Sequence, residues 1–195
     1  TINSPFKGRI IVGEQKKTAY SCLTITSIAN ALKREKLLGS PDLIQSSIML
    51  GPIGDLDMGA ALKRATKFLC LYFSAFKEVL PEQWELGDAP GGYICTNNAA
   101  VALLKVLGAI FYVLEARHHL DLKSLSVDDL YSQVYGYSRH LVSWLKEQDG
   151  AKFGSFRSQV GSKGQAGVSW EMQQAIYECD SNFQPRGLKE WIASF

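Results

Sequence analysis

The chain is short of the residues that most enzymes and metal sites are built from. It has three histidines, His118, His119 and His140, and four cysteines, Cys22, Cys70, Cys95 and Cys179. The cysteines lie far apart and form no CxxC, which argues against a disulfide framework and for reduced thiols in a cytosolic protein. A bias of charge is lacking too. Lys and Arg number 21 against 19 Asp and Glu, a net charge of +2, too little to imply nucleic acid by itself. The first residues do not have the pattern of a signal peptide. The most apolar run, Ala99 to Leu114, is interrupted by Lys105 and reads as too short to span a bilayer, so no membrane partner is expected. No catalytic constellation occurs, nothing calls for a cofactor or metal, and repeats and low-complexity tracts are missing.

What is present is helix-forming sequence. A chain of 195 residues makes one domain able to bury roughly two-thirds of its unfolded surface. Gly8 to Gly13 reads as a short strand around Ile10, Ile11 and Val12. Thr24 or Thr26 caps a first helix running to about Leu38, ended by Gly39-Ser40-Pro41. Residues 42–50 are expected as a short helix. A long helix spans about Leu56 to Leu80, with a wide stripe that includes Phe68, Tyr72, Phe73 and Phe76, and stops at Pro81. Gly87 to Gly92 reads as a loop. Thr96 or Asn97 caps a third helix to about Ala116, apolar nearly all round and therefore central. Ser126-Val127-Asp128-Asp129 opens a fourth, reaching about Glu147. Gly150 to Gly167 reads as a polar, Gly-rich, basic loop. Helices over about Ser169 to Cys179 and Leu188 to Phe195 close the chain. The expected fold is mostly α: a multi-helix bundle with a short extended N-terminal element. It divides into 1–23 as strand and loop, 24–148 as helical core, 149–167 as the basic loop and 168–195 as C-terminal helices.

Of the candidate chemistry, the Gly-rich loop is foremost. Glycines let backbone N–H groups approach an anion, and here Gly161 and Gly164 stand beside Arg157 and Lys163, with a helix start following at Ser169. The spacing differs from that of a P-loop. Basic clusters at Lys16/Lys17, Lys33/Arg34/Lys36 and Lys63/Arg64/Lys67 either line one phosphate-facing surface or decorate separate solvated faces. His118 and His119 are adjacent at a helix end and do not face the same way, so they are expected to satisfy the last carbonyls of the third helix rather than to hold a metal. Cys95 precedes a helix start, where a thiol is activated only if a base is near, and is expected to be a buried hydrophobe. The aromatics, including Trp84, Trp144, Trp170 and Trp191, are expected in the core, with Tyr131, Tyr135 and Tyr137 as a partly exposed edge for a partner.

The segment Gly91-Gly-Tyr-Ile-Cys-Thr-Asn-Asn-Ala-Ala-Val-Ala-Leu-Leu-Lys-Val-Leu-Gly108 resembles the region that follows the motif domain in bacterial DGQHR-domain (DndB-like) proteins. The stretch Thr24-Ile-Thr-Ser-Ile-Ala-Asn-Ala-Leu-Lys33 and the close from Gly161 through Trp191 are similar to the same family. The naming Asp-Gly-Gln-His-Arg motif does not occur in this chain. The resemblance therefore implies the helical C-terminal part of a longer protein, with a role in DNA modification, antiviral defence or transcription regulation. It implies DNA, a preceding N-terminal domain or another protein subunit as partners.

Overall fold

The computed structural model describes residues 4–11, 13–42 and 47–186. Within them the order is β1 (Ile10–Ile11), β2 (Leu23–Thr24), α1 (Ile25–Arg34), β3 (Gly39–Asp42), β4 (Ser47–Leu50), α2 (Met58–Val79), α3 (Pro81–Leu86), α4 (Asn97–Ala116), α5 (Val127–Lys146), α6 (Gly150–Ser158) and α7 (Gly161–Cys179). The fold is the expected helical bundle, with two small two-stranded sheets at its N-terminal side.

Helix α4 is the axis. Apolar side chains occupy its whole circumference, and it is surrounded accordingly: α1, α5 and α7 pack against it, and residues from Ala99 to Leu114 are buried except Lys105 and Tyr112. Among the described residues it is the one helix long and apolar enough to cross a membrane. In the fold 78% of its most apolar window is covered by protein, which makes it a core helix here. The helix is thus longer than the Ala99–Leu114 run suggests, and what marks it as core is burial rather than shortness. Thr96 starts it, its hydroxyl accepting from the Ala99 N–H at 3.2 Å.

Helix α2 contributes an aromatic ladder. Phe68 meets Phe111 of α4 with centroids 5.5 Å apart, and Tyr72 donates to the Leu103 carbonyl at 2.9 Å. Burial drives the Tyr72 hydroxyl far above its ordinary titration range, so it stays protonated and keeps the proton that this bond needs. Each fully buried ring of this kind contributes about 1.5–3 kcal/mol relative to exposure. Side-chain caps from Thr24, Asp57, Ser126 and Asp149 open α1, α2, α5 and α6, each satisfying a backbone N–H that a helix start leaves bare.

The N-terminal segment lies across α3. Strands β1 and β2 pair in parallel, Ile10 with Leu23 and Ile11 with Thr24. Arg9 is buried, 1% exposed, with its guanidinium 3.7 Å from the Tyr20 ring centroid and paired with the Glu85 carboxylate. It also donates to the Glu85 carbonyl at 3.3 Å. A buried cation needs such partners, because an unpaired charge there is strongly unfavourable.

Four expectations are corrected. Helix α1 ends at Arg34, short of Leu38, because Lys36 takes a left-handed conformation, φ 55°, and turns the chain. Gly39-Ser40-Pro41 is strand rather than helix stop, and of the short helix expected at 42–50 the described residues are strand instead, Asp42 ending β3 and Ser47–Leu50 forming β4, the two pairing antiparallel. Pro41 is tolerated because a two-stranded sheet is all edge. A further helix, α3, occurs where Pro81 was read only as an end, the proline sitting in its first turn. The loop expected over 149–167 is helical except at Asp149, which caps α6, and at Gln159 and Val160. Phe153 and Phe156, three apart, bury one face of α6, and Gly164 lets α7 start against Gln159: a Cβ there would lie 2.3 Å from the Gln159 carbonyl carbon. The helix expected at Leu188 to Phe195, with Trp191, lies outside the described residues.

Thr96→Ala is expected to cost about 1 kcal/mol through loss of the cap, lowering Tm by about 2–4 °C. Thermal unfolding followed by circular dichroism checks it.

Candidate anion-binding cleft

A cleft of about 270 Å³ opens where the end of α1, the hairpin and α4 meet; its wall carries Arg34, Lys36, Lys123 and Arg186 together with Glu35, Glu115, Phe111 and Tyr112. The last turn of α1 supplies Arg34, the turn after it Lys36, and the connection from α4 to α5 supplies Lys123. Arg186 arrives from the segment after α7, where its backbone N–H donates to Gln173 Oε1 at 2.7 Å and its guanidinium lies 5.1 Å from the Tyr112 ring centroid. Close approach of α1 to α4 depends on Gly108, whose added Cβ would lie 3.0 Å from Glu35 Oε2. Gly51 closes the floor: a Cβ on it would stand 2.2 Å from the Lys36 carbonyl oxygen.

The charge in the cleft is unequal. Glu35 faces Lys105 at 3.8 Å, which offsets one of the two acids. Burial raises the pKa of the other, Glu115, with Lys123 pulling it back and Asp121 adding to the rise. Four exposed cations then face one carboxylate that takes up a proton more readily than usual. Positive potential of this kind suits an anion, phosphate above all, and the positive excess grows as pH falls through the Glu115 titration.

Of the residues singled out from the sequence, Arg34 and Lys36 line this cleft. Lys33 is its exposed neighbour on the last turn of α1. Lys63 is exposed on α2. Arg64 turns inward and donates to the carbonyls of Leu125 at 2.7 Å, Leu122 at 2.9 Å and Pro52 at 3.1 Å. Lys67 pairs with Asp128 at 2.6 Å. Arg157 donates to the carbonyls of Ala89 at 2.5 Å, Asp88 at 2.6 Å and Gly92 at 3.2 Å, and meets the Asp88 carboxylate at 3.2 Å. Both terminal nitrogens of its guanidinium are turned onto the 88–92 turn, so it ties α6 to that turn. Lys163 is exposed on the first turn of α7 and Gly161 opens that turn at φ 72°, while Gly164 serves packing. The phosphate-facing set expected from Arg157, Lys163, Gly161 and Gly164 is therefore not a loop, and its arginine is engaged with backbone.

A second, wider cleft of about 450 Å³ is lined by His118, Tyr137, Arg139 and Asp180. His118 Nε2 lies 2.8 Å from the Tyr137 hydroxyl instead of satisfying helix carbonyls, because the chain turns at His119, φ 52°, and aims the ring at α5. Tyr137 is consequently buried, 7% exposed, which removes it from the expected tyrosine edge; Tyr135 remains exposed and Tyr131 half-buried. His140 and Cys95 do not line this cleft. Among the described residues no three His, Cys, Asp or Glu gather as metal ligands do.

No family model, no curated protein and no solved structure matches the chain. The resemblance to DGQHR-domain proteins rests on the quoted residues alone.

Arg157→Ala removes donors from three carbonyls of one turn and is expected to destabilise the fold by about 1–3 kcal/mol while leaving anion affinity unaltered. Urea unfolding and a phosphate titration on the same preparation separate the two effects.

Proposed function

We propose that this chain is a binding domain without chemistry of its own, which contacts the phosphates of DNA through the cleft of Arg34, Lys36, Lys123 and Arg186, as part of a bacterial regulatory or antiviral-defence protein. The observation that supports it is the gathering of four exposed cations from three separate chain segments around one aromatic-walled cleft. Surface lysines scattered for solubility have no reason to converge. Lys33 extends the basic edge along α1. Phosphate contacts made this way position a nucleic acid without reading its sequence and release counterions, so affinity falls steeply with salt.

A second reading has its own support. Leu56, Met58 and Leu62, 81%, 86% and 69% exposed, stand close in sequence at the start of α2, with Met58 and Leu62 on one helical face. Exposed apolar groups in such proximity favour contact with another domain or subunit.

Two measurements test these readings. Anisotropy of a short labelled duplex across a salt series is expected to show binding that weakens as salt rises. Lys36→Glu and Lys123→Glu are each expected to lower affinity at least tenfold at low salt, and a single Lys→Ala to reduce the salt slope by about 1. Unchanged affinity in both reversal variants overturns the DNA reading. For the second reading, light scattering is expected to show an assembly larger than a monomer that Met58→Glu with Leu62→Glu dissolves; a parent chain that stays monomeric at high concentration and binds no neighbouring domain counts against it.

A further inference from the structure

Lys36 stands where the end of a helix ordinarily puts glycine. Helix α1 closes with the Leu37 N–H donating to the Leu32 carbonyl at 3.0 Å and the Lys36 N–H donating to the Lys33 carbonyl at 3.1 Å. These are the paired bonds of a left-handed helix end, whose turning residue is usually glycine because a Cβ is strained there. Lys36 holds that position at φ 55°, and among the described residues the other positive-φ positions are glycines, apart from His119. Strain of this kind tends to sit at ligand clamps, where the residue it places is in use, and Lys36 lines the cleft.

The shape of the cleft narrows what it can hold. Its volume of about 270 Å³ lies just under the range of about 300–1,000 Å³ typical of small-molecule sites. That is a pocket for one charged group and its immediate neighbour rather than a track for a strand. Arg34, Lys36, Lys123 and Arg186 are ranged round this one hollow, whereas the phosphates of a duplex follow one another along its axis at one charge per about 1.7 Å. An internal phosphodiester brings a single negative charge. A terminal phosphomonoester, whose second proton leaves near pH 6, brings about −1.5 to −2 and three acceptor oxygens. Four cations round one site match the second better than the first. Arg186 is placed in advance, its guanidinium stacked 5.1 Å from the Tyr112 ring centroid and its backbone N–H tied to Gln173 Oε1, so little ordering is left to binding. Glu115, exposed on the same wall, repels a further phosphate laid beside the first.

We propose that the cleft takes the terminal phosphomonoester of a DNA strand in preference to internal phosphodiesters, with Arg34, Lys36, Lys123 and Arg186 as its cationic ligands. This rests on the DNA reading of the same cleft and names which phosphate is held. The left-handed turn at Lys36 is the cost of bringing an ammonium to that group. A free nucleotide carries the same group, and its competition distinguishes the two sources.

The test compares one internally labelled duplex in two forms, with phosphates or with hydroxyls at all its ends, and uses an unlabelled covalently closed circle of the same sequence as competitor. Anisotropy is expected to show the phosphorylated form binding about tenfold tighter or more, the worth of a charge-assisted hydrogen bond or two. The circle is expected to compete no better than the hydroxyl-ended duplex, and thymidine 5′-monophosphate equimolar with the duplex ends is expected not to displace. Lys36→Gly is expected to keep or raise Tm, since the strain is relieved, while losing most of the preference for phosphorylated ends. Lys123→Ala, remote from the helix end, is expected to lose it too. Equal affinity for phosphorylated, hydroxyl-ended and closed DNA, still weakened by Lys36→Glu, overturns this inference and leaves the DNA reading standing. Absence of binding to every form at low salt overturns both. Retention of the preference in Lys36→Gly and Lys123→Ala, or displacement by the equimolar mononucleotide, overturns the strand end as the ligand.

Discussion

The need to cover α4 on every side governs this molecule. A helix of twenty residues whose circumference is nearly all apolar has no solvent-facing side to give up, so neighbours must arrive from each direction. Helices α1, α5 and α7 lie against it and the aromatic ladder of α2 fills what remains. The constraint fixes more than the core. The turns joining these helices have to cross the ends of the bundle, and their carbonyls need donors there, since backbone acceptors hidden from water are costly to leave bare.

Arginine meets that need. Arg64 gathers three carbonyls from two connections, Arg157 gathers three from one, and Arg9 holds the Glu85 carbonyl along with its carboxylate. A planar fork of donors suits acceptors at differing angles better than an ammonium does. The cations left for a ligand are those on turns whose backbone is otherwise satisfied, which is why the candidate cleft is built mostly from lysines and from arginines at the ends of segments.

The helical core was legible because its signals are local. Thr96, Ser126 and the capping region at Thr24 announce helix starts within three residues, and the all-round apolar run of α4 identifies the centre. The 149–167 segment misled because its glycines suggest a loop, while the evidence for helix is the Phe153–Phe156 pair and the packing of Gly164 on Gln159, the second visible only in three dimensions. Lys33/Arg34/Lys36 was noticed as a basic cluster, yet nothing near it in sequence points to Lys123 or Arg186. Those residues join the cleft because α4 returns the chain beside α1 and because the segment after α7 folds back onto Tyr112. The engagement of Arg64 and Arg157 was equally hidden, for an arginine beside glycines has the same sequence appearance whether it faces phosphate or carbonyl.

The parallel pairing of β1 with β2 is two residues long and is sustained chiefly by Arg9 under the Tyr20 ring and against Glu85. Its contacts join distant parts of the chain, which places its docking late in folding and makes its opening a separate, low-energy event ahead of global unfolding. Amide protons there will exchange with solvent well before those of α4. Each such opening returns a guanidinium to water and bares the interior it had sealed, so the durability of this small lid sets how often the deep end of the bundle meets solutes at all.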